Sequence, residues 1–322
     1  MGGTPLARRL TGSQAFWVFI AILLISTVMT ITEGEVFFTE QNFFNITRNF
    51  SFTAIMALGQ TAVIITGGID LGVGSVMGLA GIVLGLMMSD YHLGFGLSAL
   101  LALLAAAAAG LVNGLLIAGL GLSPFVVTLG MLSIGRSLAL AISNNKFFYQ
   151  FGPGQHTLLE LGGGQSLGIA NSVWILILLT LVMAFALRYT AWGRHVYAIG
   201  GNEQAARLTG VRVDLIKVSV YVLSSVMAGI AAILTVGWQG SVTNALGLTY
   251  ELKVIASSVI GGVNLMGGEG GAIGTFVGSA LIELIRNSLI LAGVDPYWQG
   301  TFVGLFIIFA VLLERIRGRK NN

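Results

Sequence analysis

Ten apolar runs follow one another along the chain, and polar residues are confined to the short stretches between them. The runs cover 15–31, 51–66, 75–89, 94–119, 124–142, 172–188, 218–238, 251–262, 272–292 and 299–313. At 1.5 Å per helical residue, most are about long enough to cross a ~30 Å hydrocarbon layer; 251–262 is the short one. Only 9% of the 322 residues are charged. Soluble domains carry roughly 25%, so polar groups cannot cover a globule of this size, and lipid is its solvent over most of the surface. Glycine, at 46 residues, is about twice its usual share. In lipid, glycine lets helix backbones approach closely and lets helices break around a cavity. The expected fold class is all-α: a polytopic membrane protein of about ten transmembrane helices with glycine-rich broken segments, forming one domain over 1–322.

Charge tests the topology. With both ends on the cytoplasmic side, the inner segments hold Arg8 and Arg9, then Arg194, Arg207, Arg212 and Lys217, then Arg315, Arg317, Arg319 and Lys320. The outer loops 32–50 and 143–171 hold Arg48 and Lys146 against Glu33, Glu35, Glu40 and Glu160. That asymmetry follows the positive-inside rule. The first run is read as an uncleaved span, because its apolar core exceeds that of a secretory signal and no small-residue cleavage site follows it. The longest inner polar stretch, 189–217, contains a short predicted helix that Asn202 can cap and Gly210 can end.

A repeat divides the chain. Gly67-Gly68-Ile69-Asp70-Leu71 is echoed 194 residues later by Gly261-Gly262-Val263-Asn264-Leu265, and more glycines follow each. Paired glycine-rich interruptions of this kind mark a transport site, because unwound backbone is tolerated at membrane depth only beside a cavity or inside protein. Two roles fit Asp70: capping the helix that starts at about Gly72, or touching the solute in a polar cavity. Asn264 can cap in the same way. Gln60, Asn113 and Gln239 are further polar candidates in or beside spans, and a hydrogen bond to a neighbouring helix would equally account for each. Glu283 and Arg286, three residues apart, are expected to pair, and Glu251 with Lys253 reads as an interfacial ion pair.

Several chemistries drop out. The chain has no cysteine, which excludes disulfides and thiolate chemistry. His92, His156 and His195 have no metal-site spacing. Gly267-Gly268-Glu269-Gly270-Gly271 lacks the Lys and Ser or Thr of a nucleotide-phosphate loop. No catalytic, cofactor-binding or metal residues are therefore assigned, and nothing points to nucleic acid. Trp174, Trp192, Trp238 and Trp298 lie near span ends and read as interfacial anchors.

Four stretches in order resemble one family over essentially the whole chain. They are Gly59-Gln60-Thr61 through Gly67-Gly68-Ile69-Asp70-Leu71-Gly72-Val73-Gly74-Ser75; Gly110 through Asn113-Gly114 into Ser123-Pro124-Phe125-Val126-Val127-Thr128-Leu129-Gly130; Gly193 through Gly200-Gly201-Asn202-Glu203-Gln204-Ala205-Ala206-Arg207-Leu208-Thr209-Gly210-Val211; and Val259-Ile260-Gly261-Gly262-Val263 through Gly274-Thr275. The chain resembles the permease subunits of ribose-type carbohydrate ABC importers. Ser123, in place of a proline, and Gly72, in place of a serine, depart from the family pattern and leave the substrate open. The resemblance implies a bacterial inner-membrane subunit that pairs with a second permease, like or unlike. It also implies an ATP-binding cassette subunit inside, which would hold the ATP, and a sugar-binding protein outside. It assigns Gly200, Asn202, Glu203, Ala205, Ala206, Arg207 and Gly210 to coupling with the ATPase. With the repeat, it assigns Gln60, Gly67, Gly68, Asp70, Asn113, Pro124, Phe125, Gly261, Gly262 and Asn264 to the translocation pathway. The alternative is an ion-coupled secondary transporter, with Asp70, Glu251 and Glu283 as its coupling groups.

Overall fold

The computed structural model describes residues 14–298, 300–302 and 304–305. The expected run at 299–313 and the basic residues at both termini lie largely outside them. Among the described residues the chain is almost wholly helical. Helices α1 (Gln14–Thr32), α2 (Gly34–Phe37), α3 (Glu40–Ile65), α4 (Val73–Ser89), α5 (Phe95–Gly114) and α6 (Pro124–Ser143) make the first part. A π-helical turn, Leu115–Gly119, extends α5. Helix α7 (Gln155–Gly163) and a two-residue hairpin, Gln165–Ser166 with Ile169–Ala170, fill the loop between α6 and α8 (Asn171–Tyr189). Then come α9 (Ala191–Gly201), α10 (Glu203–Leu208), α11 (Val213–Gln239), α12 (Tyr250–Ile260) and α13 (Ala272–Leu291).

Six of the described helices, namely α1, α5 with its π-turn, α6, α8, α11 and α13, are long and apolar enough to cross a membrane, and α4 is a shorter apolar helix. Helix α11 is the central post, packed against α3, α4, α5 and α7. Its buried face carries Val220, Tyr221, Ala228, Ala231, Ala232 and Val236. Small residues bring the helices together: Gly59 sits on the Ser224 backbone, and Gly110 and Gly114 sit on Tyr221 and Val218. Close backbone approach of this kind is how helices associate where lipid offers no hydrophobic drive.

One expectation is corrected here. The run 251–262 is not a span. Helix α12 has 11 residues, so at 1.5 Å each it covers roughly 16 Å, about half a hydrocarbon layer. The segment before it, 240–249, re-enters the bundle instead of staying at the surface. It starts beside Phe148, where Val242 makes an antiparallel bridge, and descends in a groove on α4 floored by Gly85, Gly81, Gly78 and Gly74. Val242 lies over Gly85, Leu246 over Gly81 and Gly78, and the Gly247 carbonyl over Gly74. A side chain at Gly74 or Gly247 would overlap the other's backbone, and Gly247 also needs its φ of +76°.

Candidate functional site

Helix α3 stops at Ile65, and the chain turns through 66–72 before α4 begins. The stop is a glycine C-cap. Gly67 takes φ +79°, its N–H donates to Ile64 O at 2.8 Å, and the Gly68 N–H donates to Val63 O at 3.1 Å. The second half repeats this at the end of α12. Gly262 takes φ +95°, its N–H donates to Val259 O at 2.9 Å, and the Val263 N–H donates to Ser258 O at 3.1 Å. The equivalent caps, Gly67 and Gly262, are 195 residues apart, one more than the sequence echo, so the second break has one residue fewer between its cap and its Asx residue.

The first break is mostly buried, with Gly67 exposed and Ile69 and Leu71 partly so, and side chains from several helices bond to it. Asp70, with no exposed surface, accepts from the Gly72 N–H at 2.9 Å through Oδ1 and from Ser224 Oγ at 3.0 Å through Oδ2. Gln60 pairs with the peptide groups of Asp70 itself. In the amide orientation that matches donors to acceptors, it donates to Asp70 O at 3.2 Å and accepts from Asp70 N at 3.1 Å. Thr128 Oγ1 donates to Ile69 O at 3.2 Å. Ser75 Oγ donates to Gly72 O at 2.8 Å and Met131 O at 3.2 Å. These bonds account for backbone groups that neither helix satisfies, as burial requires.

Asp70 thus clamps a turn and does not cap α4, whose N-cap is Gly72, without a side-chain bond. Asn264 makes the same short loop, accepting from the Met266 N–H at 2.9 Å. Helix α13 begins only at Ala272, so Asn264 does not cap it either. Gln60, Asp70 and Asn113 are completely buried within the protomer. Both polar atoms of the Asn113 side chain and the Tyr221 hydroxyl, which lies against Gly68, have no hydrogen-bond partner among the described residues. Pro124 opens α6 at its first turn, and Phe125 points outward, 53% exposed.

The polar stretch 189–217 meets both breaks at one junction. Gly268 N–H donates to Ile65 O at 2.9 Å, tying the second break to the end of α3. Gly200, near the end of α9, lies directly on that bond: a Cβ there would overlap Ile65 O and Gly268 N. Tyr197 Oη donates to Gly270 O at 2.8 Å. Sequence reasoning placed Gly200 among the coupling residues and the breaks elsewhere; the structure puts them in backbone contact.

Beyond Gly200, Asn202 caps α10 by accepting from the Ala205 N–H at 2.9 Å, and Gly210 ends it at φ +85°. Four charges of this stretch pair with one another. Glu203 pairs with Arg207 and Lys217, and Arg207 with Asp214. Burial opposes ionisation of Glu203, but Lys217 and Arg207 outweigh it and hold the carboxyl below its usual range. Arg207 does the same for Asp214. Ala206 is buried, while Leu208 stands 89% exposed at the tip.

Other charges also find places. Arg286 Nη1 donates to Glu283 Oε1 at 2.7 Å, as their spacing predicts. Glu251 and Lys253 do not pair: Lys253 lies over the Tyr250 ring, 5.2 Å from its centroid, and the Glu251 carboxylate lies against Gly74. Among the described residues no group of three or more His, Cys, Asp or Glu can hold a metal ion.

A helical bundle with interrupted helices and a polar segment seated on the interruptions defines a multi-pass membrane transport component. Residues 42–311 match the family model described as branched-chain amino acid transport system / permease component. A ribose import permease protein of Escherichia coli strain K12 is 37% identical over 298 residues, 91% of each chain. A fructose import permease protein of Rhizobium meliloti is 32% identical, covering 95% of this chain and 86% of that one. An autoinducer 2 import system permease protein of Photorhabdus luminescens is 32% identical, covering 98% and 96%. The chain belongs to the family of permease components of carbohydrate ABC importers.

Proposed function

We propose that this chain forms the translocation pathway for a monosaccharide or similar polyol, a pentose or hexose. In this reading a separate ATP-binding subunit drives it, an extracytoplasmic binding protein feeds it, and a second permease completes the pore. The observation that carries the reading is the junction of Gly200 with Ile65 and Gly268. A segment pushed from the cytoplasmic side would move the ends of both broken helices together, because no side chain lies between them to absorb the displacement.

The segment 200–210 is the coupling element in this reading. Its internal ion pairs brace α10 against α11, and its exposed Leu208 supplies the apolar knob that enters the ATPase. Both termini are cytoplasmic, in keeping with the basic residues of 189–217. Among the relatives, the sugar permeases favour a sugar over an amino acid as the solute. A neutral solute also suits a buried first break whose one carboxylate is already committed to Gly72 and Ser224.

Vesicles test the reading. The chain alone should accumulate no monosaccharide, with or without a proton or sodium gradient. With its ATP-binding subunit and binding protein it should accumulate one when ATP is present. Accumulation by the chain alone would replace this reading with the ion-coupled one.

A further inference from the structure

The re-entrant segment delivers a charged pair to membrane depth at a surface that the protomer leaves open. Gly74 lies seven residues from Gly81, which packs against Val236 near the end of α11. At 1.5 Å per residue, that places Gly74 roughly 10 Å deeper along α4. There the Glu251 carboxylate rests on Gly74, partly exposed at the start of the half-helix α12. Among the described residues it accepts no hydrogen bond and forms no ion pair. Arg136, also partly exposed, donates through Nη1 to Asn244 O at 2.7 Å and Leu246 O at 2.8 Å. Its remaining N–H groups form no hydrogen bond among the described residues.

Beside Arg136, the outward face of α6 carries Gly130, Ser133 and Ser137, all exposed. Charges at such depth face a bundle interior or a water-filled cavity, because lipid would make them costly. Gln60, Asp70 and Asn113, which the sequence nominated for the pathway, are sealed inside the protein, whereas these, like Phe125, reach its surface.

We infer that Glu251, Arg136, Ser133 and Ser137 form a solute-binding wall on the pathway face, where the carboxylate accepts hydroxyl protons from a neutral polyol. The inference rests on the transport reading above and adds its contact residues. A carboxylate accepts two hydroxyls at once, the guanidinium donates to a ring or hydroxyl oxygen, and the two serines do either. The wall is sparse, as a conduit requires, since tight binding would slow release.

The absence of cysteine makes the test direct. In the complete importer, Ser133→Cys and Ser137→Cys are exposed to a charged, water-soluble methanethiosulfonate, with Leu181→Cys, on the 64% exposed apolar face of α8, as the lipid-facing control. Both serine variants should react at least about tenfold faster than the control. In parallel, Glu251→Gln should raise the half-saturating D-ribose or D-fructose concentration for uptake about tenfold, the loss expected when hydrogen bonds to a charged acceptor weaken. Thiols at 133 and 137 as inert as that at 181 would overturn the wall, and so would unchanged sugar dependence in Glu251→Gln. If the unsubstituted importer takes up neither sugar but 133 and 137 still react, the transported solute is wrong and the water-lined wall stands.

Discussion

At 66–72 the interrupted chain is mostly buried, and four side chains from four helices bond to it: Gln60, Ser75, Thr128 and Ser224. At 261–271 it is partly exposed and bonds mostly to itself, through Asn264 to Met266 and Asn264 N to Glu269 O. The two begin with the same glycine cap and diverge immediately after it. The first resembles a clasp, fixed in one geometry by groups that would be costly to leave unpaired. The second is a compliant glycine coil, held at its rim by Ile65 and Tyr197. An unwound segment gains rigidity from its neighbours, and glycine content alone does not decide how stiff it is.

The comparison breaks most severely at the point the two share. Gly200→Ala pushes a methyl into backbone on both sides, and overpacking of this kind costs about 1–3 kcal/mol or more where nothing can yield. Thermal unfolding in detergent should shift down sharply, and ATP-driven uptake should be lost. Gly201→Ala, with open space around it, should behave like the unsubstituted protein. Equal effects in the two would show that the junction is not tight.

Next in size is Asp70→Ala, which strands the Gly72 N–H and the Ser224 hydroxyl in a buried site and should cost about 1–3 kcal/mol. Asp70→Asn keeps an oxygen for Gly72 and should cost less, a difference visible in denaturation midpoints. Gln60→Met leaves the Asp70 peptide groups unpaired and should cost about 1–3 kcal/mol. Asn264→Ala, in the self-bonded coil, should stay within about 1 kcal/mol. If it matched Asp70→Ala, the contrast between clasp and coil would fail.

The smallest effect is one of pH. Glu203 and Asp214 are both held below their usual values, so each stabilises the fold above its unfolded pKa and loses that contribution as pH falls through the folded one. Protection factors of the amides at 203–209, with the intrinsic pH dependence of exchange divided out, should be flat above about pH 5 and should fall below it.

Much of the fold was legible in the chain. The runs 15–31, 124–142 and 272–292 became Gln14–Thr32, Pro124–Ser143 and Ala272–Leu291, because apolar length in lipid leaves little choice but helix. The re-entrant path of 240–249 was not legible. Those residues are polar and small, like any surface loop, and only the glycines of α4, spaced at 74, 78, 81 and 85, hinted that a backbone would lie along that helix. Asp70 drew attention as a rare carboxylate, yet one of its two side-chain partners, Ser224, came from 154 residues away and carried no local pattern. Ser133 and Ser137 passed unnoticed because isolated serines are ordinary in membrane helices. Leu208 passed too, since an apolar residue beside Ala206 reads as helix core until its exposure is known.

The strand-like start of the re-entrant segment gives the groove on α4 a mechanical consequence. Phe148 and Val242 hold one another through two backbone bonds, 3.0 and 2.8 Å long, at the end of the bundle opposite Gly200. From there the chain runs against α4 down to Gly247, with no compressible side chain beneath its lowest turn. In the transport reading, a displacement at 148 and 242 would pass along this contact to Gly74 and Glu251, as through a pushrod, while Gly200 would meet the interrupted helices from the other end.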